Sequence, residues 1–108
     1  MPEVNNLFAG IPEALPEEIF QEILKTPHFR LERIISHGQA SPPGFWYDEP
    51  THEWVIVLSG RAALKFAGRA ELTILEPGGH LLIPAGSRHR VEWTDPEGKT
   101  VWLALHYR

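Results

Sequence analysis

The sequence contains no cysteine among its 108 residues, which excludes a disulfide framework, a thiolate metal site and a cysteine nucleophile. It also lacks any apolar run near the roughly 20 residues that a membrane-spanning helix needs, so we expect no membrane partner. The first residues, Met1 to Asn6, show neither the basic region nor the following apolar run of a signal peptide. These absences together predict a cytoplasmic protein.

An excess of positive charge is also missing. Lys and Arg number 10 against 14 Asp and Glu, which gives a net charge of −4. Nucleic-acid binding normally needs a basic face, so we expect no nucleic-acid partner. The hydrophobic content of 43% is that of an ordinary soluble globular protein, and 108 residues suffice for one domain with a core but not for two.

Turn-forming residues, by contrast, are abundant. The 10 prolines and nine glycines favour an all-β chain over a helical one. From residue 28 onward, short segments of alternating or continuous apolar residues are separated by turns such as Pro77-Gly78-Gly79. This spacing predicts seven or eight strands in a sandwich or small barrel formed by residues 28–108.

Residues 1–27 are predicted to form an N-terminal arm that contains the one helix of the chain, from Pro16 to Lys25. Proline suits the first helical position, and the two acids that follow it suit the first turn. Four apolar residues then recur at helical spacing and form one stripe: Ile19, Phe20, Ile23 and Leu24. A single amphipathic helix of this length is expected to cover part of a sheet rather than to form the core.

Ionisable side chains begin or lie within two strands that are predicted to be buried. Glu53 begins the apolar segment that ends at Gly60, and His89 is predicted to share an inward face with Val91 and Trp93. A buried carboxylate or imidazole is unfavourable unless it is hydrogen-bonded, ion-paired or bound to a metal. Both residues also have a simple structural interpretation. Glu53 is then a solvated carboxylate at a strand end, and His89 is a buried neutral histidine.

The spacing of glycines and prolines around these two residues resembles the two motifs of the cupin superfamily. Glu53 is followed after six residues by Gly60, and Gly78 is followed after five by Pro84-Ala85-Gly86 and then by His89. The resemblance covers most of the chain. It implies an RmlC-like double-stranded β-helix, or jelly roll, that forms a homodimer.

The resemblance also implies a divalent metal held by the glutamate and by the second-motif histidine, here Glu53 and His89. The first cupin motif further supplies a His-x-His pair, whose positions fall on residues 46 and 48 or on residues 47 and 49, and none of these is a histidine. Asp48 and His52 are candidate replacements, although a turn-capping aspartate and a surface histidine are the ordinary interpretations. Imidazole and carboxylate ligands without sulfur suit Fe, Mn, Ni or Zn.

Aromatic residues are expected to complete the interior of the barrel. Trp46, Tyr47, Trp93 and His106 are predicted to line its pocket, and Trp93 stands where the second cupin motif has an asparagine. Because such a pocket is apolar with a few ionisable groups, the expected ligand is a small organic molecule.

Three functions remain open at this point. The first is a metal-dependent enzyme, an oxygenase or an isomerase, that acts on a small organic molecule bound inside the barrel. The second is a non-catalytic ligand-binding or sensor protein that has lost its metal, which the missing His-x-His pair favours. The third is a metal-free isomerase or cyclase in which Glu53 and His89 transfer a proton. No substrate follows from the sequence.

Overall fold

The computed structural model describes residues 2–108, and this part of the chain contains eight β-strands and no helix. The all-β prediction is therefore confirmed. The same residues include no helix long and apolar enough to cross a membrane. In chain order the strands are β1 Ile19–Lys25, β2 Phe29–Ser36, β3 His52–Ser59, β4 Ala62–Phe66, β5 Thr73–Leu75, β6 His80–Ile83, β7 His89–Thr94 and β8 Thr100–Tyr107.

The strands form two antiparallel sheets that pack on a common core. The larger sheet has five strands in the order β1-β2-β8-β3-β6, and the smaller has three in the order β5-β4-β7. Since β8 lies between β2 and β3, strands that are distant in the chain become neighbours at the centre of the larger sheet. This order, rather than proximity along the chain, decides which polar side chains meet.

Apolar residues that alternate along the central strands form the core between the two sheets. On β3 and β8 these are Val55, Val57, Trp102 and Ala104, each at most 3% exposed. Leu64 of β4 packs against them from the smaller sheet. Because side chains of a strand point alternately to its two faces, the intervening residues lie on the outer face of the larger sheet.

The segment predicted as a helix is strand β1, and the helix prediction is wrong. β1 pairs with β2 along its whole length, with a bulge between Glu22 and Leu24. Only Ile19 is partly buried, so the apolar stripe at helical spacing has no surface to cover. The edge of β2, the next strand along the chain, instead offers backbone hydrogen bonds along the segment, and this pairing prevails over a weak helix propensity.

Arg33 holds the segment that precedes β1 against β1 and β2. Its side chain is buried, and Nη1 donates hydrogen bonds to the carbonyl oxygens of Leu7 and Ala9 at 2.8 and 2.7 Å. Its Nε donates to Oε1 of Gln21 at 2.8 Å. Charge-assisted hydrogen bonds from one side chain therefore order the segment around Leu7 and Ala9, which precedes β1 and has no regular secondary structure.

Gly60 follows β3 in a backbone conformation that favours glycine, with φ 83°. A Cβ atom at this position would lie 2.6 Å from Cα of Thr100 and 2.8 Å from the carbonyl oxygen of Lys99. The turn between β3 and β4 therefore packs against the start of β8 so closely that no side chain fits. This close approach explains the glycine that follows Glu53 after six residues.

Candidate functional site

A cavity of about 270 Å³ opens between the two sheets. The core residues Val55, Leu64, Ile83 and Trp102 form its apolar floor. Its polar lining consists of four glutamates, two histidines, a tyrosine and an arginine: Glu18, Glu32, Glu49, Glu53, His89, His106, Tyr47 and Arg30. An apolar floor with convergent ionisable groups is typical of a small-molecule site.

The strand register places Glu53, His106 and Arg30 side by side. Glu53 of β3 lies opposite His106 of β8, and His106 lies opposite Arg30 of β2. Directly opposite residues in antiparallel strands point to the same face of the sheet, here the face that lines the cavity. Glu32 follows Arg30 by two residues on β2 and therefore projects to the same face.

Glu53 and His89 meet across the two sheets. Oε1 of Glu53 lies 3.4 Å from Nε2 of His89, and the two side chains are 13% and 6% exposed. Nδ1 of His89 lies 2.9 Å from the carbonyl oxygen of Ser87. Because a carbonyl oxygen only accepts hydrogen bonds, Nδ1 carries a proton. Nε2 is therefore the atom that exchanges a proton with the carboxylate or with a molecule in the cavity.

The surroundings of His89 favour its charged form. Burial lowers the pKa of His89, but the hydrogen bonds to Glu53 and to the carbonyl of Ser87, together with the nearby negative charges, outweigh burial and raise the pKa above 6.5. The imidazole centroid lies 5.4 Å from that of Tyr47 and 5.8 Å from that of Phe66. These residues flank β7 on opposite sides, so the ring is held between two aromatic neighbours.

A second imidazole–carboxylate pair, His106 with Glu32, lies in the same cavity. Nε2 of His106 lies 2.9 Å from Oε1 of Glu32. This hydrogen bond raises the pKa of His106 and outweighs burial, while Glu53 adds to the rise and Arg30 opposes it. Nδ1 of His106 is buried and has no hydrogen-bond partner in residues 2–108. One nitrogen of this ring is therefore satisfied and the other is not.

Burial raises the pKa of two further groups of the cavity, Tyr47 and Glu18. Burial, reinforced by the surrounding glutamates, raises the pKa of Tyr47 above 10.0, so its phenol remains a hydrogen-bond donor. Burial also raises the pKa of Glu18, against the hydroxyl of Ser36, which donates a hydrogen bond to the carboxylate. The same hydroxyl accepts a hydrogen bond from Nε1 of Trp102 at 3.1 Å, which ties this wall of the cavity to the core.

Of the four residues predicted to line the pocket, Tyr47 and His106 line the cavity, whereas Trp46 and Trp93 do not. Tyr47 bridges to the start of β7 through two backbone hydrogen bonds. Because successive residues of an extended segment point to opposite sides, this bridge turns the preceding Trp46 away from the cavity. The Trp46 ring instead lies under the guanidinium of Arg88, at 5.6 Å.

A register shift between β7 and β4 accounts for the position of Trp93. The successive β4 residues 63 and 64 lie opposite Trp93 and Val91, so β7 contains one extra residue at this point. The extra residue interrupts the alternation that the sequence predicts for the strand. Val91 lines the cavity, whereas the Trp93 ring lies outside it, 5.6 Å from the guanidinium of Arg61.

Neither His52 nor Asp48 is placed beside Glu53 and His89. His52 points to the opposite face of β3 from Glu53, and its Nδ1 accepts a hydrogen bond from the backbone N–H of Ala85 at 3.1 Å. The register shift of β3 lies near the other end of the strand, so it does not turn His52 inward. Asp48 is exposed and does not line the cavity.

Four ionisable residues of the cavity are not among the sequence-predicted site residues: Glu18, Arg30, Glu32 and Glu49. Tyr47 and Glu49 both line the cavity, so the first-motif positions that face inward are 47 and 49 rather than 46 and 48. Arg30 and Glu32 do carry a signal in the sequence, because they alternate with apolar residues along β2. Alternation alone does not tell which face of a strand is inward.

The donors that the cupin resemblance implies do not converge as a metal centre requires. No group of three or more His, Cys, Asp or Glu in residues 2–108 is placed to hold a metal ion. Of the four predicted ligands, only Glu53 and His89 meet, and protein sites for catalytic metals commonly supply three. The arrangement suits proton transfer, because an imidazole and a carboxylate face each other within a shared cavity.

Comparison with known proteins agrees with the two-sheet fold and the glycine spacing. The family model described as a cupin domain matches residues 32–106. This range is more than half of the chain, and the chain belongs to the cupin family. A search of curated proteins found no match.

Solved structures give the same result. The chain is similar to a protein from Ralstonia eutropha that carries the provisional name mannose-6-phosphate isomerase, at 52% identity, with 98% of each chain covered and a TM-score of 0.94. It is also similar to a cupin superfamily protein from Desulfitobacterium hafniense, at 14% identity over 90% of this chain and 83% of that one, with a TM-score of 0.73.

A third similar structure is an RmlC-like cupin with a double-stranded β-helix fold from Methanocaldococcus jannaschii. It is 12% identical over 90% of this chain and 85% of that one, with a TM-score of 0.70. At such low identity the last two likenesses concern the fold alone. They confirm the prediction of a cupin jelly roll.

Proposed function

We propose that this cupin is an isomerase that binds a small carbonyl compound in the cavity and transfers a proton between two of its carbon atoms. The observation that carries the proposal is the 3.4 Å separation of Glu53 Oε1 and His89 Nε2 inside the cavity. The cavity volume of about 270 Å³ is at the lower end of ligand pockets, so a compound of a few carbon atoms is the expected substrate.

Proton transfer between neighbouring carbons needs a base at carbon and a hydrogen-bond donor at the carbonyl oxygen. The Glu53 carboxylate removes a proton from the carbon beside the carbonyl and returns it to the former carbonyl carbon. His89 gives a proton to the carbonyl oxygen and takes one from the hydroxyl of the neighbouring carbon. The phenol of Tyr47 donates a hydrogen bond to the oxygen that becomes negative. Substrate and product contain the same atoms, so the step needs no oxidant.

The reaction class agrees with the name of a relative. The Ralstonia eutropha protein, provisionally called a mannose-6-phosphate isomerase, is 52% identical over 98% of this chain. We extend the class of reaction from that name to this chain and leave the identity of the sugar open. Two observations therefore support the isomerase function, the geometry of the Glu53–His89 pair and the provisional name of a relative.

Hydrogen exchange at carbon tests the proposal. The untagged protein is incubated in D₂O with aldoses and ketoses, with and without phosphate, and NMR follows the C–H signal beside the carbonyl. We expect exchange that a chelator does not remove and that Glu53→Gln slows by about 10²-fold or more. Glu76→Gln changes an exposed glutamate outside the cavity and serves as the matched control. The proposal is contradicted if none of the sugars exchanges its C–H proton, or if the exchange rate is the same in Glu53→Gln as in the wild type.

A ligand-binding protein without catalysis is the second candidate. It is favoured by Tyr47 and Glu49, which stand where cupins commonly place a His-x-His pair, and by the lack of a three-donor group in residues 2–108. This candidate predicts saturable binding of a small molecule without turnover, and only a modest change of affinity in Glu53→Gln. A sugar that binds in calorimetry but exchanges no C–H proton would favour it over the isomerase.

A further inference from the structure

The guanidinium of Arg30 forms no ion pair with another of the residues 2–108. It lies on β2 where it lines the cavity, and its Nε is buried with no hydrogen-bond partner in residues 2–108. A buried guanidinium nitrogen without a partner is unfavourable, so this position calls for a ligand that accepts hydrogen bonds.

His106 presents a second unpartnered nitrogen beside Arg30. The two residues lie opposite each other on β8 and β2, so their side chains project to the same face of the sheet. Nε2 of His106 is engaged by Glu32 at 2.9 Å, whereas Nδ1 is buried and has no partner in the part of the chain that the structure describes. Two nitrogens on adjacent strands are thus left for the same ligand.

A shallow cleft adjoins the cavity at these two residues. It has a volume of about 240 Å³ and shares Arg30, His106 and Glu49 with the cavity. Its lining also includes His28 and Lys25, and Lys25 lies opposite Arg30 in the pairing of β1 with β2. Lys25, Arg30 and His106 therefore form a basic row across three neighbouring strands, in a chain whose net charge is −4.

We propose that the basic row of Lys25, Arg30 and His106 binds the phosphate group of a substrate whose carbon chain occupies the adjoining cavity. The identity of the carbon chain rests on the proposed isomerase function. Phosphate oxygens accept charge-assisted hydrogen bonds from guanidinium, imidazolium and ammonium groups. A phosphate group offers acceptors to the two unpartnered nitrogens, Arg30 Nε and His106 Nδ1, and its negative charge is attracted by Arg30 and Lys25.

The carboxylates of the cavity orient such a substrate. Four glutamates line the cavity and only Glu49 of these also lines the cleft, so an anion is repelled more strongly by the cavity than by the cleft at the basic row. His106 stands between Arg30 and Glu53 in the register of three adjacent strands. A carbon chain that extends from the phosphate past His106 therefore brings its far end to Glu53 and His89.

Titration with inorganic phosphate tests the basic row without any turnover. Phosphorus NMR and calorimetry at low ionic strength measure the binding. We expect one saturable site whose affinity falls about tenfold in Arg30→Gln and by a smaller factor in Lys25→Gln, because charge-assisted hydrogen bonds are lost. Arg30→Lys keeps the charge but not the planar fork and recovers part of the affinity. Arg61→Gln removes an exposed cation outside cavity and cleft and leaves the affinity unchanged.

Circular dichroism and thermal unfolding verify that each variant folds. If Arg30→Gln does not fold, the exposed Lys25→Gln carries the test. The inference is overturned if the wild-type chain shows no saturable phosphate binding, or if the charge-removing variants of the basic row bind phosphate as tightly as the wild type does.

Failure of the isomerase function is distinguishable from failure of the phosphate subsite. Glu53→Gln is expected to lose exchange at carbon while it retains phosphate binding. His106 separates Glu53 from Arg30 in the strand register, so Glu53 does not contact the phosphate. Phosphate binding without exchange on any sugar supports the subsite and overturns the isomerase function alone. Exchange on unphosphorylated sugars without any affinity for phosphate overturns the subsite alone.

Discussion

Glu53 of β3 and His89 of β7 belong to different sheets, and their side chains approach to 3.4 Å. Among residues 2–108 this is the one carboxylate–imidazole contact that joins the two sheets, since His106 and Glu32 lie on neighbouring strands of the larger sheet. The protonation of one residue therefore affects both the packing of the sandwich and the chemistry of the cavity.

Stability is expected to depend on pH through His89. Burial lowers its pKa, but the bonds to Glu53 and to the carbonyl of Ser87 raise it above 6.5 in the folded chain. A raised folded-state pKa stabilises the fold fully below the unfolded value of about 6.5, and this contribution is lost as the pH rises through the folded-state pKa. Urea unfolding measures the free energy of unfolding of the wild type and of His89→Gln from about pH 6 to about pH 9. The difference in this free energy between the two proteins is expected to become smaller as the pH rises. A difference that widens with pH contradicts the prediction.

Ser36 is expected to be more important for stability than its size suggests. Ser36→Ala removes the donor to Glu18 and the acceptor for Trp102, and the loss of partners is expected to lower the unfolding free energy by about 2 kcal/mol. The pKa of Glu18 is expected to rise further, because the Ser36 hydroxyl is the group that lowers it. Urea unfolding and carboxyl-carbon NMR measure the two effects.

Ser59→Ala is the control for this prediction. The hydroxyl of Ser59 has no hydrogen bond to another of the described residues, so a change within about 0.5 kcal/mol is expected. A loss of stability as large as that of Ser36→Ala would show that the Glu18–Ser36–Trp102 chain is not the cause.

Alanine variants of Gly60 and Gly68 distinguish the cost of backbone strain from the cost of steric overlap. Their φ angles are 83° and 82°, but a Cβ at Gly60 would overlap Thr100, whereas a Cβ at Gly68 meets nothing within 4 Å. We expect Gly68→Ala to cost about 1 kcal/mol, and Gly60→Ala about 3 kcal/mol or more, because strain and overpacking add. Chemical unfolding of both variants measures the difference. Equal losses would mean that the turn moves away from β8 without penalty.

The homodimer that the cupin resemblance implies stays a prediction. β1 is an edge strand and exposes Phe20, Ile23 and Leu24, which are between 41% and 54% accessible. A second copy at this edge would remove apolar surface from water and satisfy free backbone groups. Light scattering is then expected to give twice the 12.3 kDa of one chain, and Leu24→Asp to shift the mass towards the monomer. A wild-type mass of one chain contradicts the prediction.

Most of the fold can be predicted from the amino-acid sequence, because the features that encode strands are local. Alternating apolar residues and the glycines and prolines between them predict seven or eight strands in residues 28–108, and seven strands, β2 to β8, lie there. The spacing of Glu53 to Gly60 and of Gly78 to His89 predicts a cupin, which the match over residues 32–106 confirms. The same spacing singles out Glu53 and His89, whose role as catalytic or metal-binding residues stays a prediction.

The contacts between distant side chains, by contrast, follow from strand order and register. The segment around Ile19 is a strand because the edge of β2 lies beside it, and Trp93 leaves the cavity because β7 has an extra residue opposite β4. Arg30 and His106 are neighbours because β8 lies between β2 and β3. Contacts of this kind depend on strand order and register, which burial of the whole chain selects and which no local pattern of residues contains.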